Sequence, residues 1–376
     1  MKQEAGFFNW KTILIGAQML FVAFGAMVLM PLLTGLDPSV ALFTAGLGTL
    51  LFQWVTRRSV PVFLASSFVF VAPIAHGIGQ WGVSVTMGAL LCTAVVYVVL
   101  GALVKWRGPG FLHRLMPPVV TGPIIMVIGL SLAPTAVNFA MGMSGNGAEH
   151  LFPYGEALLV SMVAMLSTML VATLGHGLFR LLPILCGVVC GYLSALALGM
   201  VDFTAVQQAG WLAMPDFVAP SFQWQAILFM VPVALAPAIE HVGDVLAISS
   251  VTGKDYIRKP GLHRTLTGDG IASMAAALFG GPPNTTYSEV TGAVMLTRVF
   301  NPVVMTWTAL FAISLAFIGK FGLLLQSIPT PVMGGILILM FGSIASVGMS
   351  TLIKAQVDLN AQRNLVIVAV TLIFGI

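Results

Sequence analysis

Three acidic residues lie in apolar surroundings, and their spacing is the clearest sign of chemistry in this sequence. Glu240 and Asp244 are four residues apart in PVALAPAIEHVGDVLAISSV. This stretch reads as one helix, so the two carboxyl groups share a face, one turn apart. Glu289 follows a segment of helix-breaking residues, GGPPNTTYSEVTG. The three acids together predict a binding site lined by carboxyl groups.

The composition places most of the chain in lipid. Hydrophobic residues make up 58% of the 376 residues and charged residues 7%, and the mean hydropathy is +1.01. A carboxylate at membrane depth costs about 2.5–3.5 kcal/mol on insertion scales, and it is tolerated where it faces a polar cavity. Apolar runs of membrane-spanning length recur from end to end and leave no room for a soluble domain. We predict thirteen segments, at 13–34, 39–55, 60–76, 82–104, 118–136, 156–174, 181–201, 226–248, 265–280, 287–297, 302–319, 329–348 and 365–376.

The charged residues predict how these segments are oriented. If the N-terminus is cytoplasmic and each segment crosses once, fifteen of the sixteen Lys and Arg residues fall on the cytoplasmic side, and only Lys320 falls outside. This is the positive-inside bias of membrane proteins. The formal net charge of +4 therefore reflects membrane topology and does not indicate a nucleic-acid partner. The predicted outer loops carry acidic residues instead, namely Asp37, Glu149, Glu156, Asp202 and Asp216.

The chain contains an internal repeat. The stretch PVVTGPI at 118–124 resembles PVMGGIL at 331–337, at an offset of 213 residues that also brings Gly129 and Gly342 into register. Seven segments per copy is an odd number, so the two copies cross the membrane in opposite senses, as in many secondary transporters. The predicted fold is an all-α polytopic membrane protein with an inverted seven-plus-seven repeat, the first copy at about 13–201 and the second at about 226–376. Two full copies would end near residue 426, so we expect the second repeat to be incomplete and the C-terminus to be truncated.

Segments three and ten are broken at matching positions of the two copies. Segment three reads PVFLASSFVFVAPIAHG, and segment ten has about 11 residues, too few to span about 30 Å as a helix. Pro282 and Pro283 precede segment ten and push the chain towards extended geometry. Such broken elements point to a transporter's binding site. We predict short strands near 66–70 and 284–288 that pair across the core, each leading into a half-helix whose N-terminal amides face a cavity.

The acids have polar and aromatic neighbours whose roles the sequence leaves open. His241 points about 100° away from Glu240 on the helix and is expected to hydrogen-bond a neighbouring helix. Asp269 is expected to cap a helix or to lie at the membrane interface, at the cytoplasmic face. Asp244 lies nearer the basic side, in a hydrated mouth or in the site itself. Four aromatic residues are explained by ordinary packing or by an apolar wall of the cavity: Phe68, Phe70, Tyr287 and Phe341.

Two carboxyl groups near one small cavity have a consequence for function. Like-charge repulsion and loss of water prevent both from ionising easily. Binding is then coupled to protonation, as a proton-driven symporter requires.

A resemblance to a known family runs over essentially the whole chain. It rests on the stretches FGAMVLMPLL, LASSFVFVAP, PAIEHVGDVLAISS, GLHRTLTGDG, PPNTTYSEVTGAVMLTR and IPTPVMGGILILMFG. These resemble the nucleobase–ascorbate transporter family, also called nucleobase:cation symporter-2, and within it the bacterial uracil and pyrimidine permeases.

The resemblance implies a plan for the whole chain. Residues 1–376 form one membrane transporter unit that works by alternating access, with short strands in segments three and ten. Segments 1–4 and 8–11 form a core, and segments 5–7 and 12 onward form a gate. The resemblance also implies a multi-pass protein of the bacterial cytoplasmic (inner) membrane, and a homodimer through the gate, for which the sequence carries no independent signal.

The family's functional positions fall on residues of this chain. Its eighth-segment glutamate, which hydrogen-bonds the base, matches Glu240, and its tenth-segment acid matches Glu289. The two strand amides that meet the base match Phe68 and Ser288, and Tyr287 is included among the substrate-binding residues as an aromatic wall. Proton coupling is assigned to Glu240, Asp244 and Glu289.

Three positions depart from the family patterns. Asp244 replaces the last histidine of the uracil-permease pattern EHxGH, which is tied to proton coupling, so the proton route differs in detail. The first-segment pattern Gln-His is Gln18-Met19 here, and Val290 replaces the asparagine of the family signature. The glutamate at the first position of that signature is similar to uracil-type members.

The chemistry of uracil suits such a site. Its edge presents two N–H donors and two carbonyl acceptors; a carboxylate accepts from N–H, and a backbone amide or protonated carboxyl donates to a carbonyl. We therefore predict proton-coupled symport of uracil, or a related pyrimidine, into the cell. The alternative is a permease of the same family for xanthine or another purine. An inorganic-anion carrier would more naturally offer bare helix N-termini.

Other classes of function find less support. The sequence contains no Ser/His/Asp grouping, HExxH motif or other nucleophile–base set, so we do not expect an enzyme. An inverted repeat with closely spaced acids argues against a channel. We expect no cofactor and no metal, with transport driven by the proton gradient. The expected partners are the nucleobase, the proton and the lipid bilayer.

Overall fold

The computed structural model describes residues 9–108, 110–111, 117–177 and 179–375, without the side chains of Ala26 and Ser288. In the first repeat its elements are α1 (Trp10–Thr34), α2 (Pro38–Val55), β1 (Leu64–Ser66), α3 (Val71–Arg107), α4 (Pro118–Ala140), α5 (Tyr154–Leu174) and α6 (Pro183–Ala197). The later elements are α7 (Thr204–Gln208), α8 (Trp224–Met230), α9 (Leu235–Thr252), α10 (Leu262–Leu278), β2 (Asn284–Thr286), α11 (Ser288–Thr297), α12 (Val303–Ala316), α13 (Gly319–Gln326), α14 (Thr330–Lys354) and α15 (Gln362–Gly375). Short turns of 3-10 helix occupy Phe68–Phe70, Phe179–Leu181 and Val231–Ala234, and a π-helical turn occupies Ile257–Gly261.

The helices confirm the predicted polytopic class. Every one of the thirteen predicted segments overlaps a helix of the structure. Within the described ranges, seven helical stretches are long and apolar enough to cross a membrane, with only short loops or turns between many of them. They are Trp10–Thr34, Pro38–Val55, Phe68–Arg107, Pro118–Ala140, Tyr154–Leu174, Trp224–Thr252 and Thr330–Lys354.

One long stretch contains two of the predicted segments. Helix α3 is interrupted at Gly82, where φ is 79° and ψ is 170°. Residues with a Cβ avoid this region, so a glycine is the residue that can break the helix there. The break falls where segment four was predicted to begin, and it separates a half-helix after β1 from a full-length helix.

The turn between α1 and α2 has a clear local cause. Helix α1 ends at Gly35, whose φ of 75° closes the helix in the left-handed conformation. Asp37 then caps α2, because its Oδ1 accepts from the Ser39 amide at 2.8 Å. Its Oδ2 accepts from the Asp216 amide at 3.1 Å, which fixes a distant loop to this turn.

The chain divides into two compact units. The first comprises Met1–Phe111 and Ala205–Gln326, and the second comprises Leu112–Thr204 and Ser327–Ile376. In terms of the predicted segments, the first unit holds segments one to four and eight to eleven, and the second holds the others. The assignment of core and gate roles to these units stays a prediction.

The first unit is built around the predicted strand pair. Strands β1 and β2 are antiparallel, with Leu64 opposite Thr286, Ala65 opposite Thr285 and Ser66 opposite Asn284. All three residues of each strand are buried. The outer edge of β1 is satisfied by Thr49, whose Oγ1 accepts from the Leu64 amide at 2.9 Å and donates to the Leu64 carbonyl at 3.3 Å. Extended backbone is thus tolerated here because protein groups pair it.

The limits of the strands differ from the prediction. β1 begins at Leu64, two residues before the predicted 66–70, and Phe68–Phe70 form a 3-10 turn instead of extended chain. The Ser67 amide still donates across to the Pro283 carbonyl at 2.9 Å, but the Phe70 amide turns back to the Ser67 carbonyl at 3.2 Å. Strand β2 lies inside the predicted 284–288 but ends at Thr286, because Ser288 already begins α11.

In the second unit the two repeat-related helices pack on each other. Helices α4 and α14, which carry the matching stretches of the repeat, are in extensive contact. The approach requires Gly129, where an added Cβ would collide with the Phe341 carbonyl and lie 2.8 Å from the Ala345 amide nitrogen. Its counterpart in the repeat, Gly342, has no atom within 4 Å of such a Cβ. The two copies of the repeat are therefore similar in sequence here, but the two matching glycines differ in how closely they are packed.

Candidate functional site

Two accessible acids lie at the centre of the first unit. Glu240 is on α9, and Glu289 is in the first turn of α11; both side chains are exposed. Helices α9 and α11 pack against each other, and Glu240 is within electrostatic range of Glu289 and Asp244. The first amides of a helix have no partner within the helix. Because Glu289 lies in the first turn of α11, such backbone donors are its neighbours. Acceptors and donors for a small polar molecule are thus found together.

Asp244 lies one turn after Glu240 but in a different environment. Its side chain is only 6% exposed, and Thr286 of β2 donates its Oγ1 proton to Oδ2 at 2.8 Å. The alternative of a hydrated cytoplasmic mouth is therefore wrong for Asp244. The acid is held inside the unit by the strand.

The expectation that Asp269 caps a helix is also wrong. Asp269 is fully buried within α10, and its Oδ2 lies 3.4 Å from His241 Nδ1. Thr285 Oγ1 approaches the same oxygen at 3.4 Å. His241, which was expected to reach a neighbouring helix, thus meets the acid of α10.

A signal for this buried position was present in the sequence. Asp269 is flanked by Gly268 and Gly270, and both glycines allow close packing. A Cβ on Gly268 would lie 2.9 Å from the Phe52 ring, and one on Gly270 would lie 2.9 Å from Tyr97 Cβ. Glycines on both sides of an acid in a helix indicate close helix packing, whereas a capping acid needs no such space.

Strand β2 distributes its side chains between the two acidic helices. Neighbouring side chains of a strand point to opposite faces, so Thr286 reaches Asp244 on α9 while Thr285 reaches Asp269 on α10. Asn284 fixes the start of the strand: its amide Nδ2 donates to the Thr44 carbonyl at 2.9 Å. Sequence reasoning did not assign roles to these three residues. Their signal is a polar run, NTT, between Pro283 and Tyr287 in an otherwise apolar region.

The other predicted site residues cluster where the strands end. Phe68 is half-buried at the start of the 3-10 turn after β1. Tyr287 is 5% exposed and donates its hydroxyl to the Ser66 carbonyl at 2.7 Å, which ties the end of β2 to β1. Ser288 is the first residue of α11, and its side chain lies outside the described part of the structure. Phe70 and Phe341 are buried, as ordinary packing requires.

Several buried polar atoms of the first unit have no hydrogen-bond partner in the protein. Among the described side chains they include Gln18 Nε2 and the hydroxyls of Ser66 and Ser67. Buried polar groups are usually satisfied, so unpaired ones near a cavity are candidates to meet a polar ligand. Gln18 was noted in the sequence only as part of a departure from a family pattern, and the two serines were noted only as strand formers.

Comparison with known proteins gives consistent findings. The family model Xan_ur_permease, described as a permease family, matches residues 10–376. A probable uracil permease of Haemophilus influenzae is 57% identical over 97% of this chain and 87% of its own length. A uracil permease of Bacillus caldolyticus is 45% identical over 97% of this chain and 84% of its own length.

A solved structure has the same fold despite low sequence identity. The transmembrane domain of the cyanobacterial bicarbonate transporter BicA superimposes with a TM-score of 0.72 at 16% identity, covering 98% of this chain and 97% of that domain. This likeness concerns the fold alone, and it confirms the predicted inverted-repeat fold.

Proposed function

This chain belongs to the Xan_ur_permease family of permeases, the nucleobase:cation symporter-2 transporters, and we propose that it carries uracil, or a related pyrimidine, into the cell together with a proton. The observation that carries the proposal is the pair of accessible acids, Glu240 on α9 and Glu289 at the start of α11, beside the paired strands. The names of its relatives, uracil permeases of 57% and 45% identity, support the substrate.

The proposed binding mode matches uracil group by group. The Glu240 carboxylate accepts from a ring N–H, and the backbone amides at Phe68 and Ser288 donate to the two carbonyls. Glu289 donates when protonated and accepts when ionised. Tyr287 forms part of the aromatic wall. An analogue that lacks one of these partners leaves a polar group buried and unpaired, and this discriminates against it.

The proposed coupling uses the acids in both of their protonation states. When a proton reaches the group formed by Glu240, Asp244 and Glu289, the repulsion between carboxylates falls and the cavity accepts a neutral base more readily. Asp244 is the entry of the proton in this scheme, since it lies one turn from Glu240, at the last position of the pattern EHxGH that the family resemblance ties to proton coupling. The proton gradient supplies the driving force, and no cofactor or metal is needed.

The remaining parts of the proposal concern the membrane. We place the protein in the inner membrane of a bacterium, as the family resemblance implies, with its N-terminus in the cytoplasm because the basic residues fall on one side. The two units act as core and gate in alternating access, and two copies associate through the gate. The last point rests on the family resemblance.

Uptake by purified protein in liposomes tests this function. Labelled uracil is offered with an imposed pH gradient, inside alkaline, and with the gradient collapsed by an ionophore. Saturable uptake that depends on the gradient and is competed by unlabelled uracil supports the proposal. Uptake of labelled xanthine without uptake of labelled uracil favours the purine alternative, and uptake that fails to saturate contradicts a carrier.

A further inference from the structure

Deep in the first unit lies a pair of titratable side chains that the proposed cycle does not use. His241 and Asp269 are both 0% exposed, and Nδ1 of the imidazole is 3.4 Å from Oδ2 of the carboxyl group. His241 directly follows Glu240 on α9, while Asp269 lies on α10. The pair therefore connects the helix that carries the proposed substrate acid to its neighbour.

The charges around this pair are mostly negative. Asp269 of the pair is within electrostatic range of Glu240 on α9 and of Tyr97 on α3, and Glu240 is in turn within range of Asp244 and Glu289. Two other elements packed against it, α2 and β2, contribute Phe52 and Thr285, neither of which titrates. Of the side chains in this group, only the His241 imidazole can become cationic.

Burial makes the pairing important. An isolated buried charge is very unfavourable, and removing one member of a buried pair leaves the other uncompensated. A protonated histidine beside an ionised aspartate carries no net charge. The Asp269 carboxyl group then adds no net repulsion to the acids that bind substrate.

The pair is also attached to the strand that leads to the second substrate acid. Thr285 Oγ1 lies 3.4 Å from the same Asp269 oxygen that faces His241. Three residues after Thr285 the chain enters α11 at Ser288, and Glu289 is the second residue of that helix. Asp269 is thus a common contact of α9, which carries Glu240, and of β2, which leads to Glu289.

We propose that His241 and Asp269 are positioning residues for substrate binding, a charge-balanced pair that holds α9 and β2 to α10 so that Glu240 and Glu289 keep their relative placement. The proposal rests on the proposed uracil transport. It assigns the pair no contact with the base and no part in carrying the transported proton.

A double-mutant cycle tests the pair. The variants are His241→Gln, Asp269→Asn and the double change, and the measurements are the Kd for labelled uracil in detergent and KM and Vmax in liposomes. Each single change breaks the pairing and is expected to raise Kd and KM about tenfold with Vmax nearly unchanged. The double variant, in which two neutral amides can hydrogen-bond across the gap, is expected to return to within about threefold of wild type.

The matched control is Thr306→Val. Thr306 donates to Gln53 Oε1 at 2.7 Å, a buried bond of the same unit that involves neither α9, α10 nor β2. Its loss is expected to lower the melting temperature without changing the Kd for uracil. If Thr306→Val weakens binding as much as the paired changes do, the effect is general loosening and the proposal is wrong.

The outcomes separate this proposal from the proposed function. No uracil binding by the wild type refutes the function and the pair together. If the wild type binds uracil normally but the two changes act independently and their effects on Kd multiply, only the proposed pair is refuted. The same holds if neither change affects Kd. If the single variants do not fold, the double variant decides: recovery of folding and binding supports the pair, and failure of either overturns it.

Discussion

Thr286 of strand β2 donates a hydrogen bond to Asp244 of helix α9, with 2.8 Å between Oγ1 and Oδ2. The strand and the helix come from the same repeat but are joined through the buried helix α10. The bond fixes an acid one turn after Glu240 while leaving Glu240 itself accessible. It thereby leaves one of two neighbouring carboxyl groups accessible and holds the other inside the protein.

Thr286→Val is expected to change coupling more than binding. Valine keeps the shape of the side chain but removes the donor to the Asp244 carboxyl group, at about 1–3 kcal/mol for the lost bond. The response of uracil uptake to an imposed pH gradient should change, with the Kd for uracil near that of wild type. Thr286→Ser, which retains a hydroxyl, should restore the wild-type response; if it does not, the hydrogen bond is not the cause.

Asp244→Asn is expected to leave uracil binding largely intact and to weaken accumulation driven by the proton gradient. The amide can still accept from Thr286, but it cannot release or take up a proton. Accumulation ratios at several external pH values measure the effect. A variant that accumulates uracil with the pH dependence of the wild type would show that Asp244 is only structural.

Glu240→Gln is expected to abolish uracil binding. An amide accepts from a ring N–H without the help of a charge, and its NH₂ group places a donor where the base also donates. Thermal stabilisation of the purified protein by uracil is the measurement, with Thr306→Val as the folded control. Stabilisation equal to wild type in the Glu240 variant would remove this residue from the site.

Glu289→Gln is expected to lower the affinity for uracil by about 1–3 kcal/mol, the usual cost of a mismatched buried polar group. Uptake should also depend less on pH, because one of two interacting acids no longer titrates. Binding of uracil and xanthine between about pH 5 and pH 8 covers the range in which such groups change charge. Equal uracil affinity and an unchanged pH profile would mean that Glu289 neither contacts the base nor carries the proton.

The repeat provides a matched test of packing in the second unit. Gly129→Ala is expected to destabilise the protein by about 1–3 kcal/mol, because the new methyl group collides with the backbone of α14. Gly342→Ala, at the equivalent position, meets open space and should leave the melting temperature unchanged. Similar melting temperatures for the two variants would contradict the close approach of α4 and α14.

The sequence predicted the helices well, and it drew attention to the acidic positions, because both depend on local features. A run of apolar residues is read from one stretch of chain, and Glu240 and Glu289 stand out because few charges occur in such runs. The paired strands were also predicted, from the shortness of segment ten and from Pro282 and Pro283, and segment four was predicted to begin at the position where Gly82 breaks the helix.

What the sequence could not provide was the partner of each buried polar group. The prediction of a cap at Asp269 was wrong because its partner, His241, lies on another helix; the glycines beside Asp269 indicate close packing but do not identify that partner. The limits of β1 were misplaced for a similar reason. Thr49 and Pro283, both distant in sequence, decide which backbone groups are paired and therefore where the strand stops.

Because side chains of strand β2 alternate between its two faces, the contacts of the acids depend on how β2 is aligned with β1. Thr285 and Thr286 reach acids on different helices only because consecutive strand residues face opposite ways. A slip of one residue in the pairing with β1 would exchange the two faces. Thr285 would then turn towards Asp244, and Thr286 towards Asp269. A slip of two residues would restore the faces while moving Tyr287 away from the Ser66 carbonyl. The pairing register of these six strand residues therefore determines which threonine hydroxyl donates to which carboxyl group.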